Sequence, residues 1–212
     1  MTTVLEQQQE QLVLQKSGKV VKVTHDEFAD SPREWDNLCK MYCSHRNYCL
    51  GDTYLNKTVD TKDYNSWEEV EQALIENYGE MAFIEPISLY DHSIQQISMG
   101  ISRGWDSGRV GFIFCTMKDA CGHYGMRDKL TKPQLQNLLS IAQSEIRTYN
   151  QYLLGDVHCI ELYDVYTDGQ HTIEECTDSV CGFYFDDKYT PQQAIKEHFG
   201  LEENEYVLKE CD

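Results

Sequence analysis

Four soft metal ligands fall within eleven residues of the sequence: Cys39, Cys43, His45 and Cys49. Thiolates and an imidazole are ligands of closed tetrahedral zinc sites. Zinc modules place two ligand pairs on separate turns, whereas a helix here puts Cys39 and Cys43 on one face and turns His45 away from them. The competing interpretation is that the cysteines are buried hydrophobes beneath a helix, and we favour it over a zinc site.

A second group of candidates consists of acids and imidazoles at predicted strand ends. Asp91, His92 and Asp106 could bind a metal or transfer protons if the fold brings them together with His45, beside Trp105. Strand-end Asp and His residues more often satisfy turn amides. The chain has no G-x-S-x-G nucleophile motif and no glycine-rich phosphate loop. The sequence therefore predicts no cofactor and favours a non-enzymatic protein, with a small metal-dependent enzyme or a small-molecule sequestering protein as the alternative.

Negative charge is the strongest feature of the composition. The 212 residues include 36 acids and 18 bases, a formal net charge of -18. No basic stripe is present that could displace counterions from phosphate, so nucleic acid and anionic membranes are poor partners. A protein with a basic surface is the favoured partner, and salt should slow the association. The acids expected to bind it are Glu68, Glu69, Glu71, Glu76, Glu174, Glu175, Asp186, Asp187, Glu202, Glu203 and Glu205.

Capping signals predict where the helices begin. Ser31, Ser66, Thr131 and Thr190 each precede a helical pattern, and a proline follows three of them at the first or second helical position. In the first helix, Trp35, Leu38 and Cys39 are expected on the inner face. The predicted helices span residues 32–43, 67–78, 132–154 and 190–199, and a short helical turn is predicted near 118–124.

Alternating apolar residues bounded by turn residues predict the strands. The run at 12–24 alternates on both sides of Ser17-Gly18 and predicts a β-hairpin. Runs of strands separated by single helices predict an α+β fold, a mainly antiparallel sheet of about six strands with three to four helices packed on one face. The other predicted strands lie at 81–90, 93–101, 109–117, 157–166, 171–176 and 180–185, with a final edge strand in EYVLKEC (205–211).

The pattern also predicts one domain in three parts: an N-terminal segment with the hairpin (1–25), a core (26–185) and an acidic C-terminal helix and strand extension (186–212). Nine cysteines are an odd number, and no secretory signal or membrane-spanning run is visible. We therefore expect no disulfide framework, most thiols reduced, and a cytoplasmic protein. Cys159 and Cys181 lie in apolar strand-like runs and are predicted to be buried hydrophobes.

Seven phrases follow one another in the sequence: DSPREWDNL (30–38), CSHR (43–46), LGD (50–52), LYDHS (89–93), WDSGRVGFI (105–113), YNQYLLGDV (149–157) and DSVCGFY (178–184). In this order they resemble a family of uncharacterised accessory proteins encoded by bacteriophages and plasmids. In that family Gly is usual at the position of Cys39, a residue other than Cys at that of Cys49, and Trp at that of Cys181. The resemblance therefore weakens the zinc interpretation.

The resemblance implies a non-structural phage or mobile-element protein that acts in the cytoplasm of the bacterial host. Defence systems act on nucleic acid through basic grooves, and the charge of -18 suits such a surface. Together they favour an anti-defence protein that binds and inhibits or modulates a host defence or nucleic-acid-processing protein. Its acidic surface would act partly as a mimic of DNA.

Overall fold

The computed structural model describes residues 15–167 and 170–210, which divide into two compact units. The first unit combines the described residues up to Phe28 with those from Val157 onward, and the second is Ala29–Asp156. Each unit contains one four-stranded sheet. The predicted α+β fold with mainly antiparallel strands is confirmed, but the strands form two sheets of four and not one sheet of about six. The predicted divisions at residues 25 and 185 do not coincide with the two units.

In chain order the elements of the second unit are β2 (Lys40–Cys43), α1 (Trp67–Tyr78), β3 (Met81–Asp91), β4 (Gln95–Met99), β5 (Ser107–Thr116), α2 (Met117–Tyr124) and α3 (Lys132–Leu154). Its antiparallel sheet has the strand order β2-β5-β3-β4. The inner strand β5 is apolar on both faces: Phe112 and Phe114 pack under α1, whereas Ile113 and Cys115 belong to the cluster beneath α3. Helices therefore cover both faces of this sheet, and the predicted packing on one face is wrong for it.

The elements of the first unit are β1 (Gln15–His25), β6 (His158–Thr167), β7 (Thr172–Phe183), α4 (Pro191–Phe199) and β8 (Val207–Glu210). They form a sheet with the order β7-β6-β1-β8, in which only β8 runs parallel to its neighbour. Helix α4 covers one face because Ala194 and Ile195 pack against Val21, Ile160 and Leu162. The final edge strand is confirmed as β8, and residue 211 of its predicted span lies outside the described residues.

Capping residues that are visible in the sequence mark the starts of α1, α3 and α4. The hydroxyls of Ser66, Thr131 and Thr190 each accept a hydrogen bond from the backbone N–H three residues later, as predicted. Gly155 and Gly200 follow α3 and α4 in the left-handed conformation that ends a helix. The predictions of helices at 67–78, 118–124, 132–154 and 190–199, and of strands at 81–90, 93–101, 109–117 and 157–166, are confirmed to within a few residues.

The predicted N-terminal hairpin is wrong. The described part of that run is the single strand β1, and a bulge between Lys16 and Gly18 lets it continue through Ser17-Gly18 while β6 pairs along its length. Residues 12–14 of the predicted hairpin lie outside the described residues. The strands predicted at 171–176 and 180–185 are likewise one strand, β7, whose pairing with β6 contains two bulges.

The helix predicted at 32–43 is also wrong, although its capping signal is genuine. Ser31 Oγ accepts a hydrogen bond from Arg33 N, but only a 3-10 turn forms at Pro32–Glu34. The Asn37 amide then donates to the carbonyl oxygens of Pro32 and Trp35, acceptors that a continuing helix needs for its own N–H groups. The chain leaves the turn in an extended conformation at Trp35 and enters β2.

A disulfide joins Cys159 of β6 to Cys181 of β7, two residues that were predicted to be buried hydrophobes. Cys159 is buried as predicted, whereas Cys181 is exposed. The bulge in the β6–β7 pairing brings the two Cα atoms within 3.9 Å, a proximity that the spacing of the cysteines in the sequence does not reveal. Six other cysteines among the described residues are free.

Reduction of this disulfide should destabilise the first unit. The bond joins residues 22 positions apart, so its loss should lower the free energy of unfolding by about 3 kcal/mol through the entropy of the unfolded chain. Hydrogen exchange of the β6 and β7 amides with and without dithiothreitol measures the change. The double variant Cys159→Ala/Cys181→Ala should not respond to the reductant, while Cys176→Ala, at an exposed free cysteine, should respond as the parent does. Equal protection of the parent in both conditions would refute the prediction.

Candidate functional site

A buried charge network centres on Arg33 in the second unit. The 3-10 turn places this side chain in the interior, where it is 2% exposed. Its Nε and Nη2 donate to the two carboxylate oxygens of Asp52 at 2.7 and 3.2 Å, and its Nη1 donates to Glu145 Oε2 at 2.9 Å. Burial alone would lower the pKa of Arg33, but the two carboxylates outweigh it and raise that pKa. Arg33 therefore stays charged.

The two carboxylates also fix the backbone around Arg33. Asp52 Oδ2 accepts a hydrogen bond from Met41 N at 2.9 Å. Glu145 Oε1, on α3, accepts from the backbone N–H groups of Leu38 and Cys39 at 3.1 Å each. All four carboxylate oxygens are thus engaged, and the group carries a net charge of -1 because it contains one cation and two anions. We interpret the network as the structural support of the surface above it.

A cavity of about 540 Å³ lies against this network. Trp35, which was predicted on the inner face of a helix, and Tyr54 line it and are 50% and 51% exposed. On the inner side the Tyr149 hydroxyl accepts a hydrogen bond from Gly51 N at 3.0 Å, and burial raises the pKa of Tyr149 to about 12. The ring of Tyr152 stacks on that of Tyr149, with 6.0 Å between centroids. The aromatic surface is therefore held by α3 on one side and by loops on the other.

Backbone geometry at Gly51 closes one wall of the cavity. Its φ of +65° is in the left-handed region, and a Cβ there would lie 2.4 Å from the Met41 carbonyl oxygen. Only glycine fits at this position. Three of the seven sequence phrases (30–38, 50–52 and 149–157) supply most of the lining. The sequence indicated only local roles for these residues, such as the cap at Ser31, because no spacing rule connects Arg33 with Glu145, 112 positions away.

The four predicted zinc ligands do not meet. Cys39 and Cys43 are buried in the core, Cys49 is exposed, and His45 stacks on Tyr48 with 4.8 Å between centroids. Burial raises the pKa of Cys43. The hydrogen bond with Cys115 and, to a smaller extent, burial raise the pKa of Cys39, so both side chains remain thiols. Among the described residues, the one group of three ligand atoms within 4.8 Å of one another comes from Asp26, Cys159 and Cys181, and its cysteines form the disulfide.

The alternative catalytic residues are brought partly together. Asp91 accepts a hydrogen bond from Tyr48 at 3.2 Å, and Asp91 N donates to the Asp106 carbonyl oxygen at 2.9 Å. His92 Nδ1 lies 3.9 Å from Asp106 Oδ2, with side chains 68% and 48% exposed. A depression of about 470 Å³ is lined by Asp91 and His92, whereas His45 lines a different one. Trp105 is fully exposed.

The acids predicted on α1 face solvent. Val70, Ala73 and Leu74 occupy the buried face of the helix, which turns the carboxylates outward. Glu68 and Glu71 lie 3.9 and 4.0 Å from Arg109, which neutralises part of their charge. The two other predicted acids of this helix also accept hydrogen bonds: Glu69 from Asn65 N and Glu76 from Gln72 Nε2.

Some of the acids predicted in the first unit have structural roles. Glu174 contacts Lys22 at 2.8 Å and Lys209 at 2.7 Å, and the hydrogen bonds from these lysines lower its pKa. Glu202 forms an ion pair with Lys196 at 2.9 Å. These two carboxylates already have cationic partners within the chain and are poor candidates for attracting another.

Backbone groups engage two further acids. Asp186 Oδ1 accepts from the N–H groups of residues 188 and 189, and Glu205 accepts from the N–H of residue 202. In contrast, Glu175, Asp187 and Glu203 are exposed and make no side-chain hydrogen bond or ion pair with any residue that the structure describes. Of the acids predicted in this unit, they are the carboxylates most available to a partner.

Fold and site together define an acidic α+β protein with two four-stranded sheets and an aromatic cavity over a buried ion network. No known protein-family model, curated protein or solved structure matches the chain. Over residues 15–167 and 170–210, no helix has the length and apolar character needed to cross a membrane.

Proposed function

We propose that the protein is a mobile-element accessory protein that binds a basic surface of a host protein and inhibits or modulates it without catalysing a reaction. The observation that carries the proposal is the outward-facing row of carboxylates on α1, in a chain with a net charge of -18. The exposed acids Glu175, Asp187 and Glu203 are further carboxylates that a basic partner could reach. The resemblance to phage and plasmid accessory proteins supports a bacterial host protein as the partner.

Charge density on α1 is close to that of a nucleic-acid strand. Glu68, Glu69, Glu71 and Glu76 span eight helical steps, or about 12 Å at 1.5 Å per residue. Four charges over that length, less the part that Arg109 neutralises, leave one negative charge per roughly 3–4 Å. A single DNA strand carries one per about 3.4 Å along its axis. A groove that binds DNA through lysines and arginines should therefore accept this helix face.

Charge reversal at four of the exposed acids should abolish partner binding. The variant carries lysine at Glu68, Glu76, Glu175 and Glu203, and we expect it to fold as the parent does because these side chains are exposed. The parent should capture from bacterial lysate a nucleic-acid-binding protein that salt and competing duplex DNA release, and the variant should not. Affinity capture read by mass spectrometry measures both.

A control variant of equal net charge separates surface placement from total charge. It reverses four exposed acids outside the proposed surfaces, Glu27, Asp30, Asp128 and Glu210. The control should still capture the same protein, more weakly in proportion to its reduced charge. Retained binding by the folded reversal variant, or equal loss in both variants, would contradict the proposal.

The second candidate function is a small metal-dependent enzyme or a sequestering protein. The contacts that connect Tyr48, Asp91 and Asp106 beside the depression of about 470 Å³ favour it. Elemental and small-molecule analysis of the same eluate distinguishes the two candidates. A stoichiometric metal or metabolite without any captured protein would favour the second.

A further inference from the structure

We infer that the cavity beside the Arg33 network receives an arginine side chain of the basic partner. The inference rests on the proposed function and specifies one contact of it. Three features of the cavity support the inference: the net charge of its floor, the aromatic surfaces at its opening, and its size. Each is independent of the carboxylates on α1.

Fixed charge around the cavity excludes an anion and favours a cation. Arg33 is the one cationic side chain of the lining, and four of its five N–H groups already donate to Asp52, Glu145 and the Cys39 carbonyl oxygen. An entering phosphate or carboxylate would therefore find at most one further N–H of Arg33, on Nη1, as a cationic donor. The floor has a net charge of -1, and the exposed Glu34 adds another negative charge to the lining.

Aromatic rings at the opening favour a planar cation. Trp35 and Tyr54 remain about half exposed, and Tyr152 is partly exposed beside them. A guanidinium over an aromatic face is attracted by the ring quadrupole, most strongly over tryptophan. The same unit already contains such contacts, because Arg109 lies 4.4 Å from the ring centroid of Phe112 and 5.3 Å from that of Trp67.

Size and rigidity are compatible with this ligand. A volume of about 540 Å³ falls within the roughly 300–1,000 Å³ of ordinary ligand sites. The walls are supported, since Tyr149 bonds to Gly51 and the ion network fixes the turn that precedes Trp35. A preformed site loses little conformational entropy when a flexible arginine enters it.

Titration with a short peptide tests the inference without knowledge of the partner. The probe is acetyl-Gly-Gly-Arg-Gly-Gly-amide, and its citrulline counterpart is the neutral control of nearly equal shape. We expect the arginine peptide to shift the indole N–H resonance of Trp35 and the citrulline peptide to bind about tenfold more weakly. Trp35→Phe identifies the resonance. Equal binding of the two peptides, or shifts at Trp105 and not at Trp35, would overturn the inference.

Variants locate the peptide within the second unit. Trp35→Ala should weaken binding of the arginine peptide about tenfold. Tyr54→Ala, on the other side of the opening, should also weaken it, and it serves if Trp35→Ala does not fold. The matched control is Trp105→Ala, since Trp105 is fully exposed and lies outside the lining. Unchanged affinity in folded Trp35→Ala and Tyr54→Ala proteins would refute the inference.

The two proposals can fail separately. The peptide experiment contains no host protein, so loss of host capture in the charge-reversal variant has no bearing on it. If the arginine peptide binds at the cavity and the charge-reversal variant still captures the host protein, the arginine site is retained and the acidic surfaces are rejected. The opposite pair of results would retain the acidic surfaces and reject the arginine site.

Discussion

Arg33→Met should lower the free energy of unfolding of the second unit by about 3–5 kcal/mol. The substitution keeps an unbranched side chain of similar length but leaves the carboxylates of Asp52 and Glu145 buried without their cation. Removing one partner of a buried ion pair is costly because the remaining charge has lost its hydration. Urea unfolding followed by tryptophan fluorescence measures the loss, since all three tryptophans lie in this unit.

A triple variant separates the charge from the packing. Combining Arg33→Met with Asp52→Asn and Glu145→Gln leaves no buried charge and keeps an amide oxygen as acceptor for the backbone N–H groups of Met41 and Leu38. We expect it to recover a large part of the stability, since neutral replacement of a buried ion pair is often nearly neutral in free energy. A loss below about 1 kcal/mol in Arg33→Met, the value typical of an exposed pair, would show that the network does not stabilise the unit.

The same network explains why local sequence signals predicted some helices and failed at another. The caps at Ser66 and Thr131 act through hydrogen bonds three residues away, so a short window of sequence contains the relevant information. Ser31 supplies an equally good local signal, but Arg33, two residues later, donates hydrogen bonds to Asp52 and Glu145, which lie 19 and 112 positions further along the chain. Tertiary contacts override the local preference there, and no short window contains them.

The cysteines show the same limit for the candidate site. A helix over 32–43 would have put Cys39 and Cys43 on one side and Met41 elsewhere. The extended chain has a period of two, so Cys39, Met41 and Cys43 share one face and enter the core together. The predicted secondary structure was therefore wrong, whereas the favoured interpretation of Cys39 and Cys43 as buried residues agrees with the structure. The exposure of the acids on α1 was predictable, because that helix has a clear apolar face.

Gly111→Ala should lower the free energy of unfolding more than any other glycine-to-alanine substitution in the sheet of the second unit. A Cβ on Gly111 of β5 would lie 1.9 Å from the carbonyl oxygen of Tyr42 and 3.1 Å from Cys43 Cα, and both are backbone atoms of the paired strand β2. No rotation of a side chain relieves this overlap, so the strands must separate and lose their pairing. We expect a loss of about 3 kcal/mol or more in the free energy of unfolding.

The matched control lies three residues earlier on the same strand. A Cβ on the exposed Gly108 would meet no atom within 4 Å, so Gly108→Ala should stay within about 0.5 kcal/mol of the parent. Urea unfolding followed by tryptophan fluorescence compares the two, because Trp67 contacts Phe112, next to Gly111. Equal urea midpoints for Gly111→Ala and Gly108→Ala would contradict the predicted overlap between the added Cβ and the backbone of β2. A selective loss in Gly111→Ala would also impair arginine-peptide binding, since β2 supplies the Met41 carbonyl oxygen that packs against Gly51 in the cavity wall.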